Sequence, residues 1–153
     1  MGQGTNTKIA QLVANELGLS FEKIKISSTN TSKVPNTSAS AASSTTDLNG
    51  AAALDAVSKI KKNLEKFIMK KYDIRNIKIF YEKGLIKFNK RSFKFETIIK
   101  EAYLNRISLS SSGFYSTPKI YFNKETFSGR PFLYFCYGAA AVSYTHLTLP
   151  TKA

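Results

Sequence analysis

The chain has 153 residues, 42% hydrophobic and 12% aromatic, with 23 Lys and Arg against 10 Asp and Glu for a net charge of +13. That is apolar material for one ordinary domain and excludes disorder throughout. A single cysteine, Cys136, excludes an internal disulfide and suits a reducing compartment, and no apolar run is long enough to span a bilayer, so cytoplasm is the expected location.

Met1 is followed directly by Gly2, Gln3 and Gly4, without the basic and apolar regions of a secretory signal. Because a helical pattern begins within a few residues, these glycines read as the tail of a strand cut from something upstream. Ile9, Leu12, Val13 and Leu17 then recur at helical spacing, with Thr5 or Asn6 as cap and Gly18 just past the end. The pattern predicts an amphipathic helix of about three turns. Phe21, Ile24 and Ile26 alternate with lysines, the period of a half-buried strand. Residues 27–47 are mostly Ser, Thr, Asn and Ala around Pro35, which by composition is a linker.

The longest predicted helix follows, with Val57, Ile60, Leu64, Phe67 and Ile68 on one stripe and lysines opposite. Ile77, Ile79 and Tyr81 against Leu85 or Ile86 and Phe88, turned at Glu82-Lys83-Gly84, predict a hairpin. Phe95, Ile98, Ile99, Ala102 and Tyr103 give a third helix ending near Asn105. The aromatic-rich runs at 107–122 and 130–141, separated by a polar turn around Ser128 to Arg130, read as strands or extended segments packed on the helices. Helices and strands without strict alternation argue for an α+β fold.

The positive charge is concentrated: between Lys59 and Lys100, 14 Lys and Arg face Glu65, Asp73, Glu82 and Glu96, a net of +10. These cations stand singly between apolar positions, the pattern of a solvated face. A nucleic-acid surface using Tyr72, Phe80, Tyr81 and Phe88 as stacking platforms is the alternative. The last dozen residues, Val142–Ala153, have no periodicity and resemble the translation of a sequencing-library adaptor. Without them 22 basic and 10 acidic residues leave +12, and the one histidine, His146, is lost, so histidine-based metal sites and triads are excluded from residues 1–141.

Three segments stand out. MGQG before a helix is common turn chemistry, but its glycines would also let backbone N–H groups approach an anionic group at a helix N-terminus, with the Gln3 amide able to donate and accept. Residues 38–46, SASAASSTT, read either as linker or as hydroxyls gathered at a helix start, with Ala41 and Ala42 leaving room for a large ligand. GFYSTPKI and the following GRPFLYFCYGAA look structural: Phe114 and Tyr115 as packing, Pro118 fixing the chain, the second run as a buried strand, and Cys136 as a core residue. Asp47 is expected as a helix cap.

In this order and spacing, MGQG, VPNTSASAASSTTDLNG, GFYSTPKI and GRPFLYFCYGAA resemble the molybdopterin domain of xanthine dehydrogenases, in the superfamily of molybdenum hydroxylases and aldehyde oxidases. The resemblance covers residues 1–141 and implies a partial molybdopterin-binding domain, with 142–153 as a foreign tail. It implies that Gly2, Gln3, Gly4, Ser40, Ala41, Ala42, Ser43, Ser44 and Thr45 touch a molybdenum-molybdopterin cofactor. It further implies hydroxylation of a purine carbon with oxygen from water, with electrons leaving through iron-sulfur clusters and FAD to NAD on other domains or subunits of an oligomeric, membrane-free enzyme. The family's glutamate base lies outside the matched segment, so no catalytic residue and no metal ligand is assigned here. GFYSTPKI favours xanthine dehydrogenase; a molybdenum hydroxylase acting on an aldehyde or another heterocycle is the nearest alternative.

Overall fold

The computed structural model describes residues 2–33, 39–41, 44–75, 77–133 and 138–143. It divides into residues 1–116 and residues 117–153.

In the first unit, α1 (Thr5–Leu17) ends where Gly18 takes the left-handed conformation at φ 62°. There Gly18 donates its N–H to Asn15 and Leu19 to Ala14, satisfying carbonyls the helix leaves open. The same glycine accepts from the Gly84 N–H at 2.6 Å, and a Cβ would overlap the Tyr81 carbonyl. A tight backbone approach therefore fixes the end of α1 against the sheet. The strand expected over Phe21–Ser27 does not form: Phe21–Lys23 is one turn of 3₁₀ helix and the chain beyond is irregular. Alternation supplied a face, but no neighbouring strand offers a ladder.

The second helix, α2 (Ser44–Lys71), starts inside the segment that composition marks as linker. Asp47 consequently sits within its first turn, where a carboxylate favours the helix dipole, and is not the cap. Its second half anchors the core, where Leu64 and Ile68 pack with Ile86, Ile98 and Ala102, all 0% exposed. The expected hairpin forms as β1 (Phe80–Glu82) and β2 (Leu85–Phe88), and β3 (Arg91–Lys94) extends it to a three-stranded antiparallel sheet. Ile86 faces Tyr81 on one side and Phe93 on the other. Ile86 and Phe88 turn inward, and the rings of Tyr72, Phe88 and Phe93 stand 5.2 to 5.3 Å apart. Next, α3 (Phe95–Leu104) buries Ile98 and Ala102, whereas Tyr103, expected on the apolar face, is 73% exposed.

After α3 the chain runs back along α2 in extended form. The Asn63 amide donates to the Ser108 carbonyl, the Lys59 ammonium to Ser112, and the Asp55 carboxylate accepts from the Phe114 N–H. Gly113 lies so close that a Cβ would overlap the Ala52 carbonyl oxygen. Five extended residues and eleven helical ones both span roughly 16 Å, which is why this register holds. Phe114 is nevertheless exposed at 62%, so its expected packing role is not observed.

In the second unit, β4 (Tyr121–Asn123) pairs with β5 (Ser128–Arg130). Both strands are exposed, as is Phe132. The described part of GRPFLYFCYGAA is therefore not a buried strand, and Cys136 lies outside the described residues. So do residues 144–153 of the expected tail. No helix among the described residues is long and apolar enough to cross a membrane.

Candidate functional site

The amino-terminal halves of α1 and α2 pack against each other. Gly50 of α2 faces Leu12 of α1, whose Cδ1 lies 3.0 Å from where a Gly50 Cβ would be. Farther along, the Lys61 ammonium bridges Glu16 at 2.6 Å. Moving forward on one helix thus moves forward on the other, so the two run in the same direction. Leu12 is seven residues past Thr5 and Gly50 six past Ser44, or about 10 and about 9 Å along the two axes at the helical rise. Each helix start therefore lies about 10 Å or less along its own axis from the Gly50–Leu12 contact. Gly50 is buried on α2, and its lack of a side chain makes room for Leu12; Ala10 and Ala14 are the buried alanines of α1.

Two helix starts side by side concentrate unbonded N–H groups and the positive ends of two dipoles. Expectation placed Thr5 or Asn6 at the cap of the first, but Gly4 occupies it at φ 71° and, being glycine, supplies no side-chain cap bond. Left-handed backbone at that point needs glycine. The positions a Cβ would take on Gly2 and Gly4 meet nothing within 4 Å, so the backbone there stands beside open space.

At the second start the hydroxyls are arranged in sequence. Ser44 Oγ donates to the Ala41 carbonyl at 2.7 Å and the Ser44 N–H donates to the same oxygen, which folds Ala41 against the helix. Thr45, 8% exposed, hydrogen-bonds through Oγ1 to the Ser40 hydroxyl. With Thr45 as donor, the Ser40 hydrogen is left to donate outward from an exposed position, while Ser44 is committed to its own turn. Ala42 and Ser43 lie outside the described residues. Of the nine residues singled out from sequence, Gly4, Ser44 and Thr45 sit at the shared mouth; Gly2 and Gln3 lead into it as an exposed turn, and Ser40 and Ala41 join it through their bonds to Thr45 and Ser44.

Sequence reading named Thr5 as a possible cap and not as a site residue. As the first residue of α1 it is 2% exposed, and its Oγ1 is buried with no hydrogen-bond partner among the described residues. Its only sequence signal is a hydroxyl one residue after a glycine cap.

The donor set at the mouth is backbone amide and hydroxyl, and no group of three or more His, Cys, Asp or Glu capable of holding a metal occurs among the described residues. Such a set fits an anionic organic ligand, gripped by phosphate and ring oxygens. It also fits a metal carried on that ligand's own donor atoms, needing no side-chain ligand here.

The cations gather elsewhere. A cleft of about 580 Å³ at the carboxyl ends of α2 and α3 is lined by Lys66, Lys70, Lys71 and Arg106 over Phe67 and Ile107. Basic residues at helix C-termini offset the negative end of the dipole, and Lys71 is paired with Glu101 at 2.6 Å. Charge complementarity to the end of α2 accounts for Lys70 and Lys71. Of the four rings named as stacking platforms, Phe88 is 2% exposed, Tyr72 and Tyr81 are half-buried, and Phe80 is exposed.

Comparison with known proteins gives a consistent result. The sequence profile described as molybdopterin cofactor-binding domain matches residues 1–146. The chain is 42% identical over 140 residues to a xanthine dehydrogenase/oxidase of Felis catus and 40% identical over 140 residues to a xanthine dehydrogenase of Oryza sativa subsp. japonica. Each alignment covers 92% of this chain and 9% of the relative. A xanthine dehydrogenase of Drosophila pseudoobscura pseudoobscura is 42% identical over 126 residues, 82% of this chain and 8% of that protein. The chain thus spans about a tenth of the length of these relatives.

Proposed function

The chain belongs to the molybdopterin cofactor-binding domain family, and from that premise we propose that the mouth shared by α1 and α2 holds the molybdenum-molybdopterin cofactor of a xanthine dehydrogenase acting on hypoxanthine and xanthine. The observation that carries this reading is the contact between the amino-terminal halves of α1 and α2, the first helix entered through Gly2 and Gly4 beside open space, the second begun among hydroxyls. Gly2, Gln3 and Gly4 approach the ligand from one side, through the backbone and the Gln3 amide. Ser40, Ala41, Ser44 and Thr45 approach from the other, and Ala42 and Ser43 join them on the strength of the resemblance.

When bound, the cofactor supplies the redox chemistry that hydroxylates a heterocycle carbon with oxygen from water. The residues of this chain do the holding. Amides at the helix starts take negative charge, the outward Ser40 hydrogen donates, and small side chains keep space for a bulky ring. Proton abstraction falls to a base outside residues 1–141. Iron-sulfur and FAD domains or subunits, NAD as final acceptor, an oligomeric cytoplasmic enzyme and a foreign tail at 142–153 complete the proposal. The 42% identity to a xanthine dehydrogenase/oxidase favours a purine over an aldehyde.

The test is purification of the protein in its full natural length, followed by assay of molybdenum, of the fluorescent oxidised pterin, and of NAD reduction with xanthine, hypoxanthine, an aldehyde and nicotinate. Stoichiometric pterin with purine-dependent NAD reduction is expected. Pterin with turnover of aldehyde alone would move the substrate, and absence of pterin would overturn the reading.

A further inference from the structure

We infer that Thr5 is a further cofactor-holding residue, its hydroxyl donating to an anionic oxygen of the phosphorylated pterin at the common mouth of α1 and α2. The inference rests on the cofactor reading above and adds a residue to it. Thr5 is 2% exposed and its Oγ1 is buried without a partner. Buried hydroxyls are bonded in the large majority of cases, because an orphan forfeits its hydration for nothing. The Cα–Cβ bond of the first helical residue tilts toward the helix N-terminus, which sets the Thr5 side chain on the Gly4 side of the helix.

The companion helix shows what is missing. Thr45 stands one residue farther into α2, similarly buried at 8%, and its hydroxyl is bonded to Ser40. Two helices in contact therefore each bury a threonine in the first turn, one satisfied from within the chain and one not. The surrounding amides favour negative charge, and the hydroxyl must give its hydrogen to an acceptor. An anionic oxygen supplies both needs, and a phosphate ester on the pterin brings one.

The experiment uses the full-length protein carrying Thr5→Val, which keeps the shape and removes the hydroxyl, and Thr5→Ser, which keeps the hydroxyl. Pterin and molybdenum retained per chain are measured during dialysis, alongside the thermal midpoint of each protein made in a host that cannot synthesise the cofactor. Thr5→Val is expected to weaken pterin retention roughly tenfold or more, the scale of one charge-assisted hydrogen bond. Its cofactor-free midpoint is expected to be unchanged or higher, and Thr5→Ser to retain pterin near the unmodified level. A folded Thr5→Val protein replete in pterin would overturn the inference alone. Pterin-free unmodified protein would overturn the cofactor reading and this inference with it.

Discussion

The two halves of α2 are built for opposite ends. From Val57 to Lys71 the helix meets the sheet and α3 with Leu64 and Ile68 at 0% exposure, a region closed by large aliphatic side chains. From Ser44 to Ala56 it carries hydroxyls, Gly50 and a run of alanines, and Gly50 receives Leu12 of α1. Bulky apolar burial supplies stability, while the hydroxyls and unbonded amides belong to the first turn. One helix thus holds the fold at its carboxyl end and offers binding groups at its amino end.

The sharpest way to break this division is Gly113→Ala, which forces a methyl into the Ala52 carbonyl at the boundary between the halves. It is expected to destabilise by about 4 kcal/mol or more by chemical denaturation, since backbone cannot yield as a side chain can. Leu64→Ala in the closed half is expected to cost about 3 kcal/mol while the folded fraction keeps its pterin content. Thr45→Val at the mouth should reverse that pattern, losing about 1 kcal/mol with the Ser40 hydrogen bond but most of the retained pterin. Equal pterin loss from Leu64→Ala and Thr45→Val would erase the distinction.

Smaller effects sharpen it further. The Tyr81 hydroxyl is buried with no partner, so Tyr81→Phe should stabilise by about 1 kcal/mol without touching pterin. Burial first, and then the Glu65 charge, raise its ionisation above the ordinary 10.0. Because an acid raised by folding is protonated in the folded state, its contribution is full below pH 10.0 and is lost as pH rises beyond it. Tyr81→Phe should therefore also remove part of the alkaline loss of stability in a melting series. Asp55 gives the smallest effect. The hydrogen bond from Lys59, and then the Phe114 N–H, hold its carboxyl below the ordinary 3.8. A lowered carboxyl contributes stability above that value and loses it as pH falls through the folded one. Asp55→Asn is expected to flatten the acid limb below pH 3.8 and leave neutral stability nearly unchanged.

How far the sequence was legible follows the same division. In the closed half, Val57, Leu64, Phe67 and Ile68 recur at helical spacing, and Ile86 and Phe88 alternate after a Gly84 turn, so α2, α3 and the β1–β2 hairpin could be read directly. Strand β3 could not, because Arg91, Ser92 and Lys94 leave Phe93 as its one apolar signal. At the mouth, composition pointed the wrong way. Ser44, Thr45 and Thr46 look like linker and are helix, since tertiary packing against α1 outweighs their weak intrinsic preference. That Gly4 caps α1 and leaves Thr5 buried depends on the neighbouring helix, which one-dimensional periodicity does not contain.

The account stands on two separated segments of chain meeting around one ligand. A cryo-electron microscopy structure of the full-length protein with its pterin bound tests this most directly. The account predicts density for the pterin bounded by Gly2–Gly4 on one side and Ser40–Thr45 on the other. Pterin density in contact with neither helix start would contradict it.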